Sequence, residues 1–505
     1  MSSLPRCDAK SDETPEDGKQ ADIAQPQVPH EIQQELPYST FTRQQKIWII
    51  AIAAWAGWFS TASSFAYFPA IPFMATQMHV SVERINLTVT SYLIASGIFP
   101  TVTGSIADRY GRRVTLLASI SAYVVVNIGL AVQSSFPALF VLRMLQSVAI
   151  SGGYSITYGV VSDLASPAER GGYTGAVAVF LNTPPSVAPL ISGLLLLRWT
   201  WPSIFWFLSI ASAVVFIVTA LFLPETGRNV VGNGSGIRIG PTTNITKAPF
   251  FRILCPPKDS TSTVHMQQPS ERRTKVNFNP LSAILILKNR NTLIASTCFG
   301  VYYTVQSCLQ ASLSTIFVET YNVTGLVAGL IYIPFGIGCS VASFAGRIVD
   351  HDYKVAAAKQ GFTINRISGD DLAGFPIERA RLRSCKYSIL VCAPLIIGYG
   401  WTLQVKTNMA APLILQFLIG FSNQLLYTCI NTLLLDYWPN LGASVQAANN
   451  FVRCELAAAG LAALDPLLRA LGPGWCFVVF AGLHFATFVG FIILEAKGLS
   501  WRSKR

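Results

Sequence analysis

Twelve apolar stretches of about 20 residues constrain this 505-residue chain more than any other feature. A helix needs about 20 apolar residues to cross the hydrocarbon core of a bilayer. Hydrophobic residues make up 51% of the chain and charged residues only 12%, whereas soluble domains carry roughly 25% charged residues. The sequence therefore predicts an all-α polytopic membrane protein. The predicted spans cover approximately 47–69, 85–105, 114–133, 137–160, 173–196, 202–223, 291–313, 323–345, 386–405, 411–435, 445–468 and 474–495.

The net charge of +12 would in isolation indicate a nucleic-acid partner. Most of the 37 Lys and Arg, however, fall in segments that the spans would place on one side of the membrane. That bias is the positive-inside pattern, so the charge sets topology. We therefore expect no nucleic-acid partner, both termini in the cytosol and a location in the plasma membrane.

The spans divide six and six around a polar stretch, so we predict two six-helix lobes with cytosolic tails. The expected parts are a disordered tail at 1–46, an N-terminal lobe at 47–224, a linker at 225–290, a C-terminal lobe at 291–495 and a tail at 496–505. A long cytosolic loop, 346–385, interrupts the second lobe. Its basic amphipathic stretch, 375–383, indicates a helix on the inner membrane surface or, alternatively, a docking site for a partner.

The connection between the second and third spans carries a dense charge pattern, GSIADRYGRR, from Gly104 to Arg113. Asp108 and Arg112 are four residues apart, so they can pair on one face of a helical turn. Asp108 also places negative charge near the start of the third span, where a helix N-terminus favours an anion. Arg109 and its neighbouring arginines would hold the loop in the cytosol, and in the simplest alternative they do only that.

A fainter copy of this string, GRIVDHDY, follows the second span of the second half. In it, Gly346 and Asp350 repeat the glycine and the aspartate of the first copy. The recurrence indicates two lobes related by internal duplication. The second copy lacks the arginines, so we expect an asymmetric gate in which Asp108 and Arg112 matter more than Asp350.

The first string, with Gly111 before its last arginines, resembles the loop signature of the major facilitator superfamily. Four further strings are YFPA at the end of span one, RMLQ in span four, LPET after span six and QAANNFVRC in span eleven. Together they resemble the fungal twelve-span drug:proton antiporters, in particular the branch that holds quinidine-resistance, dityrosine and citrate exporters. The resemblance implies the major facilitator fold, with twelve transmembrane helices in two six-helix lobes. It also implies that Asp108 and Arg112 lock the lobes in the outward-closed state.

Charged residues inside spans are costly, at about 2.5 to 3.5 kcal/mol each on insertion scales, so they tend to face a cavity or a partner. Arg143 lies in span four with Gln146 on the same face, and the resemblance associates this arginine with proton coupling. A guanidinium does not itself lose its proton, so Arg143 would act on a nearby acid or bind an anionic substrate. Alternatively, it pairs with backbone carbonyls and braces span four.

Span eleven carries the richest polar pattern. Asn449 and Arg453 are one turn apart, and Asn450 is adjacent, so we expect this face to line a central cavity. Glu455 points nearly the opposite way, either as a proton carrier or as a neutral side chain packed against another span. Asp465 precedes a proline at the outer end, where we expect it to cap or bend the helix.

Span five departs from the family pattern. Antiporters of this group usually carry Gly-Pro, two variable residues and Gly-Gly there, whereas this chain has APLISG, from Ala188 to Gly193. Pro189 and Gly193 keep the bend and one close contact, and Ala188 and Ser192 stay small enough for near approach. The antiporter direction therefore has less support than the fold.

These features favour a proton-coupled transporter that exports small organic compounds, xenobiotics or secondary metabolites, and functions as a monomer. An organic-acid exporter is the alternative, because Arg143 and Arg453 would neutralise carboxylates. A transporter-like sensor that signals through the 346–385 loop is a third possibility. The ten cysteines form no CxxC pair and the five histidines are scattered, so we expect no metal, no cofactor and no enzymatic site.

Overall fold

Polar caps set where the helices begin and end. Thr42 accepts a hydrogen bond from the backbone N–H of Gln45, whose side chain accepts one from the N–H of Thr42, and this capping box starts the first span. The side chains of Ser81 and Asn289 cap the second and seventh spans by accepting hydrogen bonds from the backbone N–H groups of Arg84 and Thr292. Asn322, in the left-handed conformation, ends the seventh span.

The computed structural model describes residues 39–165, 167–231, 285–343, 346–359, 375–438 and 442–503. Most of the predicted N-terminal tail and linker, and part of the long loop, lie outside these ranges. Within them the chain is helical and contains no strand.

The first half forms six spans, several of which contain a break. Their helices are Arg43–Phe65 with Phe68–Ala70 and Ile71–Gln77, Val82–Tyr110, Arg112–Val132, Phe136–Ile150 with Gly152–Leu164, Pro167–Leu181 with Pro184–Leu196, and Pro202–Phe222. A short helix, Arg228–Val231, follows.

The second half repeats this arrangement. Its helices are Arg290–Tyr321, Gly325–Leu330 with Ile333–Ser343, Gly346–Lys359, Ile377–Gln404, Ala410–Tyr437 and Gly442–Ser503.

Among the described residues, ten helical segments are long and apolar enough to cross a membrane by length and composition. One of them, Val445–Arg502, contains two spans, because Gly472 breaks the helix with φ of 72°. The helix Arg290–Tyr321 is 32 residues long and supplies the seventh span. The architecture is thus that of twelve transmembrane helices in two groups of six, as predicted.

The basic stretch 375–383 does not form a separate surface helix. Ile377–Gln404 is one continuous helix, so this stretch forms the first turns of span nine. Phe375, Ile377 and Leu382 are buried against neighbouring spans. The interpretation as a helix lying on the membrane is therefore wrong, because the apolar face of this stretch packs on protein.

Consecutive spans alternate in direction, so the bundle has two ends, which we call the tail face and the far face. The tail face is the end where span one begins at Arg43, and the far face is the opposite end. At the far face the lobes are in direct contact. Ser314 Oγ donates to the Phe68 carbonyl over 2.7 Å, and the Phe68 ring stacks on Tyr332.

A second contact at the far face joins spans two and eleven. Asn86 Nδ2 donates a hydrogen bond of 3.0 Å to Asp465 Oδ2. Asp465 lies inside a helix that continues to Gly472, so it does not cap the end of that helix, and its carboxylate contacts the other lobe. These contacts place the structure in a state that is closed at the far face.

Candidate functional site

A single residue, Gly111, separates the helices of spans two and three. Its φ of 114° is a conformation that suits glycine. A Cβ there would also lie 2.7 Å from the carboxyl carbon of Glu225. Gly111 is therefore required both by the turn and by the space that Glu225 occupies.

Arg112 pairs with two carboxylates in this turn. Its Nη2 lies 2.5 Å from Asp108 Oδ1, and its Nε lies 3.1 Å from Asp163 Oδ2 at the end of span four. The spacing of Asp108 and Arg112 predicted the first pair. The sequence reading missed Asp163, although an acid that ends an apolar span near an arginine-rich turn is a usable signal.

The two carboxylates are not equivalent. The Asp163 side chain is 9% exposed and that of Asp108 is 42% exposed. We expect Asp163→Asn to lower the free energy of unfolding by about 3 kcal/mol, because it leaves a buried cation poorly compensated, whereas Asp108→Asn should cost about 1 kcal/mol or less. Chemical unfolding of both variants in detergent measures the difference, and equal losses would contradict this ranking.

Glu225, in the LPET string, closes the same turn from the end of span six. Its carboxylate is buried and accepts hydrogen bonds from the backbone N–H groups of Arg112 and Arg113, at 2.7 and 3.1 Å. It also accepts from Thr226 and Gly227, at 3.0 and 2.9 Å. The carboxylate therefore caps span three, where the helix dipole favours an anion.

Arg113 is buried, which differs from the expectation that the arginines only hold the loop in the cytosol. It is 4% exposed, and its Nη2 donates to the Ala220 carbonyl over 2.6 Å. Arg113 therefore fastens span three to span six. Arg109, in contrast, is exposed and lies over the Tyr110 ring. Gly104 approaches Ser155 of span four.

In the second lobe, Gly346 and Asp350 lie on the helix Gly346–Lys359, but their side chains are outside the described part of the structure. Arg381 begins span nine and pairs with Asp436, at the end of span ten, over 2.8 Å. These positions match those of Arg112 and Asp163 in the first lobe. The second lobe thus has an arginine–aspartate pair although the string GRIVDHDY lacks the matching arginine. The arginine comes later in the sequence, after the long loop that precedes span nine.

Arg143 is completely buried in span four. Its Nη1 donates to the side chain of Gln146 and, over 3.4 Å, to the Ser63 carbonyl. The guanidinium carbon lies 4.0 Å from the centre of the Tyr67 ring and 4.5 Å from that of Tyr92. Aromatic rings and a carbonyl thus surround the cation, and no carboxylate pairs with it among the described residues.

Arg453 and Asn450 form the polar group of span eleven. Arg453 Nε and Nη2 donate to Asn450 Oδ1 over 3.0 and 2.7 Å, and Asn450 Nδ2 donates to the Ser96 carbonyl of span two. The guanidinium carbon lies 4.8 Å from the centre of the Tyr303 ring. Asn449 is 3% exposed and makes no hydrogen bond to Arg453. Of the two asparagines predicted on this face, Asn450 is the hydrogen-bond partner of Arg453, whereas Asn449 is buried beside it.

Glu455 also faces the first lobe. A Cβ on Gly97 of span two would lie 2.9 Å from Glu455 Oε1, an oxygen without a hydrogen-bond partner among the described residues. Nearby, the hydroxyl groups of Tyr154 and Tyr427 are 3.3 Å apart across the lobes. Ionisable and phenolic groups are therefore concentrated where the two lobes meet.

Span five contacts span eight through small residues. A Cβ on Gly193 would lie 2.9 Å from the Cα of Gly329 and 3.0 Å from the Gly325 carbonyl oxygen. Ser192 Oγ donates to the Ala66 carbonyl of span one over 2.7 Å, and Pro189 lies inside the helix Pro184–Leu196. The close approach persists although the second glycine of the family pattern is a serine here.

Two bundles of membrane-spanning helices, with charged side chains buried within and between them, define a multi-pass membrane transporter. The chain belongs to the Major Facilitator Superfamily, because the model of that family matches residues 53–462. This finding confirms the family resemblance that the loop string suggested.

Several fungal relatives cover nearly all of the chain. MFS-type transporter phiD, from a fungal species, is 35% identical over 93% of this chain and 71% of its own length. Citrate exporter 1 of Aspergillus niger is 31% identical, over 93% and 89% of the two chains. MFS antiporter QDR2 of Candida albicans is 31% identical, over 90% and 89%. These relatives are named as transporters, not enzymes, and they match the predicted branch.

A solved structure supports the same fold. The human organic anion transporter MFSD10 superimposes with a TM-score of 0.56 at 15% identity, over 88% of this chain and 99% of that one. At this identity the similarity concerns the fold alone.

Proposed function

We propose that this protein exports small organic compounds, either xenobiotics or secondary metabolites, in exchange for protons by alternating access. The observation that carries the proposal is the position of Arg453 and Glu455 inside a span that contacts the other lobe: Glu455 lies against Gly97, and Asn450, the partner of Arg453, donates to the Ser96 carbonyl. The environment of such groups changes when the lobes separate, so binding or release of a proton can be coupled to the motion. The similarity to an antiporter, QDR2, supports the direction.

We also propose how the protein is oriented in the membrane and which turn controls its conformational change. In this proposal the protein functions as a monomer in the plasma membrane, with its tail face toward the cytosol. The turn around Asp108 and Arg112 stabilises one of the conformational states of the transport cycle. Transport measured in liposomes with an imposed pH gradient tests the coupling, with labelled quinidine and labelled citrate as probes. If the flux of both probes does not change with the pH gradient, proton exchange is wrong and the protein is a facilitator.

Glu455→Gln tests whether this acid carries the proton. The substitution keeps the shape of the side chain but removes its ability to exchange a proton. If Glu455 is the carrier, we expect the variant to retain downhill flux and to lose its response to the pH gradient. A response equal to that of the parent protein would assign Glu455 to packing instead.

A second candidate function is export of organic acids. In the described structure the partners of Arg453 are an amide and an aromatic ring, whereas a carboxylate ligand would supply the missing opposite charge. We expect Arg453→Gln to reduce citrate flux by about tenfold or more, the loss that follows from removing one charge-assisted hydrogen bond of about 1.5 to 3 kcal/mol.

The matched control for this variant is Arg198→Gln, because the Arg198 side chain is exposed. Citrate flux should be unchanged in the control. If citrate flux is unaffected in Arg453→Gln while quinidine flux falls, the organic-acid alternative is wrong and Arg453 serves the general cavity.

A further inference from the structure

The hydrogen bond between Asn86 and Asp465 joins the two lobes at the far face. It connects the first turns of span two to span eleven, and both side chains are nearly inaccessible, with exposures of 3% for Asn86 and 9% for Asp465. The contact belongs neither to the turn at the tail face nor to the group around Arg453. It is a buried polar contact, separate from the Ser314–Phe68 hydrogen bond and from the exposed Glu83–Arg469 ion pair at the same face.

The side-chain oxygen of Asn86 has no hydrogen-bond partner in this contact. Asn86 Nδ2 donates to Asp465, but Asn86 Oδ1 is buried and has no hydrogen-bond partner among the described residues. A carboxylate can only accept hydrogen bonds, so it cannot satisfy an amide oxygen. A protonated carboxyl group has both an O–H donor and a carbonyl acceptor. It therefore matches the donor and the acceptor of a primary amide and can form two hydrogen bonds with it.

We propose that Asn86 and Asp465 form a proton-binding site that latches the far face. Asp465 takes up one proton from the water on the far side, and its new O–H group donates to Asn86 Oδ1. The negative charge is neutralised, the orphaned amide oxygen gains a partner, and the lobes gain a hydrogen bond. When the lobes separate and water reaches the carboxyl group, the proton returns to the solvent.

The proposal deepens the proposed alternating access, on which it rests, by naming a proton that closes the far face and is not itself carried across the membrane. The ionisable groups that act on Asp465 within the described structure are Glu83 of span two, Arg469 of span eleven and Cys308 of span seven. Glu83 and Arg469 form an ion pair of 3.8 Å, with side-chain exposures of 43% and 64%. Such an exposed pair contributes little, so the buried amide and carboxyl groups carry the latch.

Distances between spin labels measure the state of the far face directly. Gln77 and Leu471 are exposed near this face on opposite lobes, and each is replaced by a labelled cysteine in a chain that also carries Cys7→Ser and Cys255→Ser. Eight other cysteines are buried. In the labelled parent protein we expect the fraction with a short inter-lobe distance to rise severalfold as the pH is lowered from about 8 to about 5, because protonation removes the charge of the carboxylate and adds the second hydrogen bond.

Asp465→Asn is the decisive variant, because a second amide presents the same donor and acceptor as the protonated carboxyl group. We expect it to hold the short distance at every pH. Asn86→Leu removes both hydrogen bonds and should give a small short-distance fraction at every pH. If either variant retains the pH response of the parent, or if the parent shows none, the latch is wrong.

The proposed function can fail separately from the latch. In one outcome, transport does not respond to a pH gradient, but the inter-lobe distance depends on pH and Asp465→Asn abolishes that dependence. This result would overturn proton exchange and leave the latch as a pH-sensitive gate. In the other outcome, transport responds to the pH gradient, but the inter-lobe distance does not change with pH. This result would overturn the latch and leave proton exchange to other residues.

Discussion

Replacing Gly193 with alanine should reduce transport by about tenfold or more, because it prevents closure of the far face. The added Cβ would lie 2.9 Å from the Cα of Gly329 and 3.0 Å from the carbonyl oxygens of Gly325 and Leu326. All three neighbours are backbone atoms, so no side chain can rotate away. Spans five and eight would have to separate, and the close packing that small residues permit in membranes would be lost.

The chain supplies a matched control in the same span. A Cβ on Gly175 meets no atom within 4 Å, so Gly175→Ala should transport normally. Initial rates of quinidine and citrate flux, normalised to the amount of protein inserted in liposomes, measure both variants. If Gly193→Ala transports at the parental rate, the close approach of spans five and eight is dispensable for the cycle.

Replacing Glu225 with alanine should have the largest effect on stability. Four backbone N–H groups donate to its carboxylate, and the side chain is 3% exposed. Each buried donor left without a partner costs about 1 to 3 kcal/mol, so we expect a loss of about 4 kcal/mol or more in the free energy of unfolding. Glu225→Gln should lose less, since its remaining oxygen keeps part of the cap.

Thermal unfolding in detergent, followed by tryptophan fluorescence, measures this effect. Glu319→Ala is the control, because Glu319 is exposed at the end of span seven and its loss should leave the melting temperature almost unchanged. A Glu225→Ala protein with the melting temperature of the parent would show that water or another side chain replaces the cap.

The turn around Gly111 shows how far local sequence reasoning reaches. The spacing of four residues correctly predicts the pair of Asp108 and Arg112, because neighbours on one helical turn lie close in any fold. The same spacing rule does not predict Asp163 or Glu225 at this turn, since each comes from the end of a different span. Their positions depend on how spans three, four and six pack.

Span eleven shows the same limit in another form. The helical period predicts that Asn449, Asn450 and Arg453 share a face, and in the structure Asn450 accepts from Arg453. All three residues lie on one helix at spacings of three and four, so both asparagines are neighbours of the arginine and the helical period does not choose between them. The hydrogen bond from Asn450 to the Ser96 carbonyl of the other lobe holds the Asn450 amide where its oxygen accepts from Arg453.

By itself the sequence determined that this chain is a helical membrane protein of two repeated halves, and it identified the family. Those conclusions rest on the lengths of apolar stretches and on short strings, which are local properties. Only the tertiary structure decided that Arg381 replaces the missing arginine of the second half, or that Asn86 meets Asp465. Such pairs join residues that are distant in sequence, and they form only when packing brings particular helix faces together.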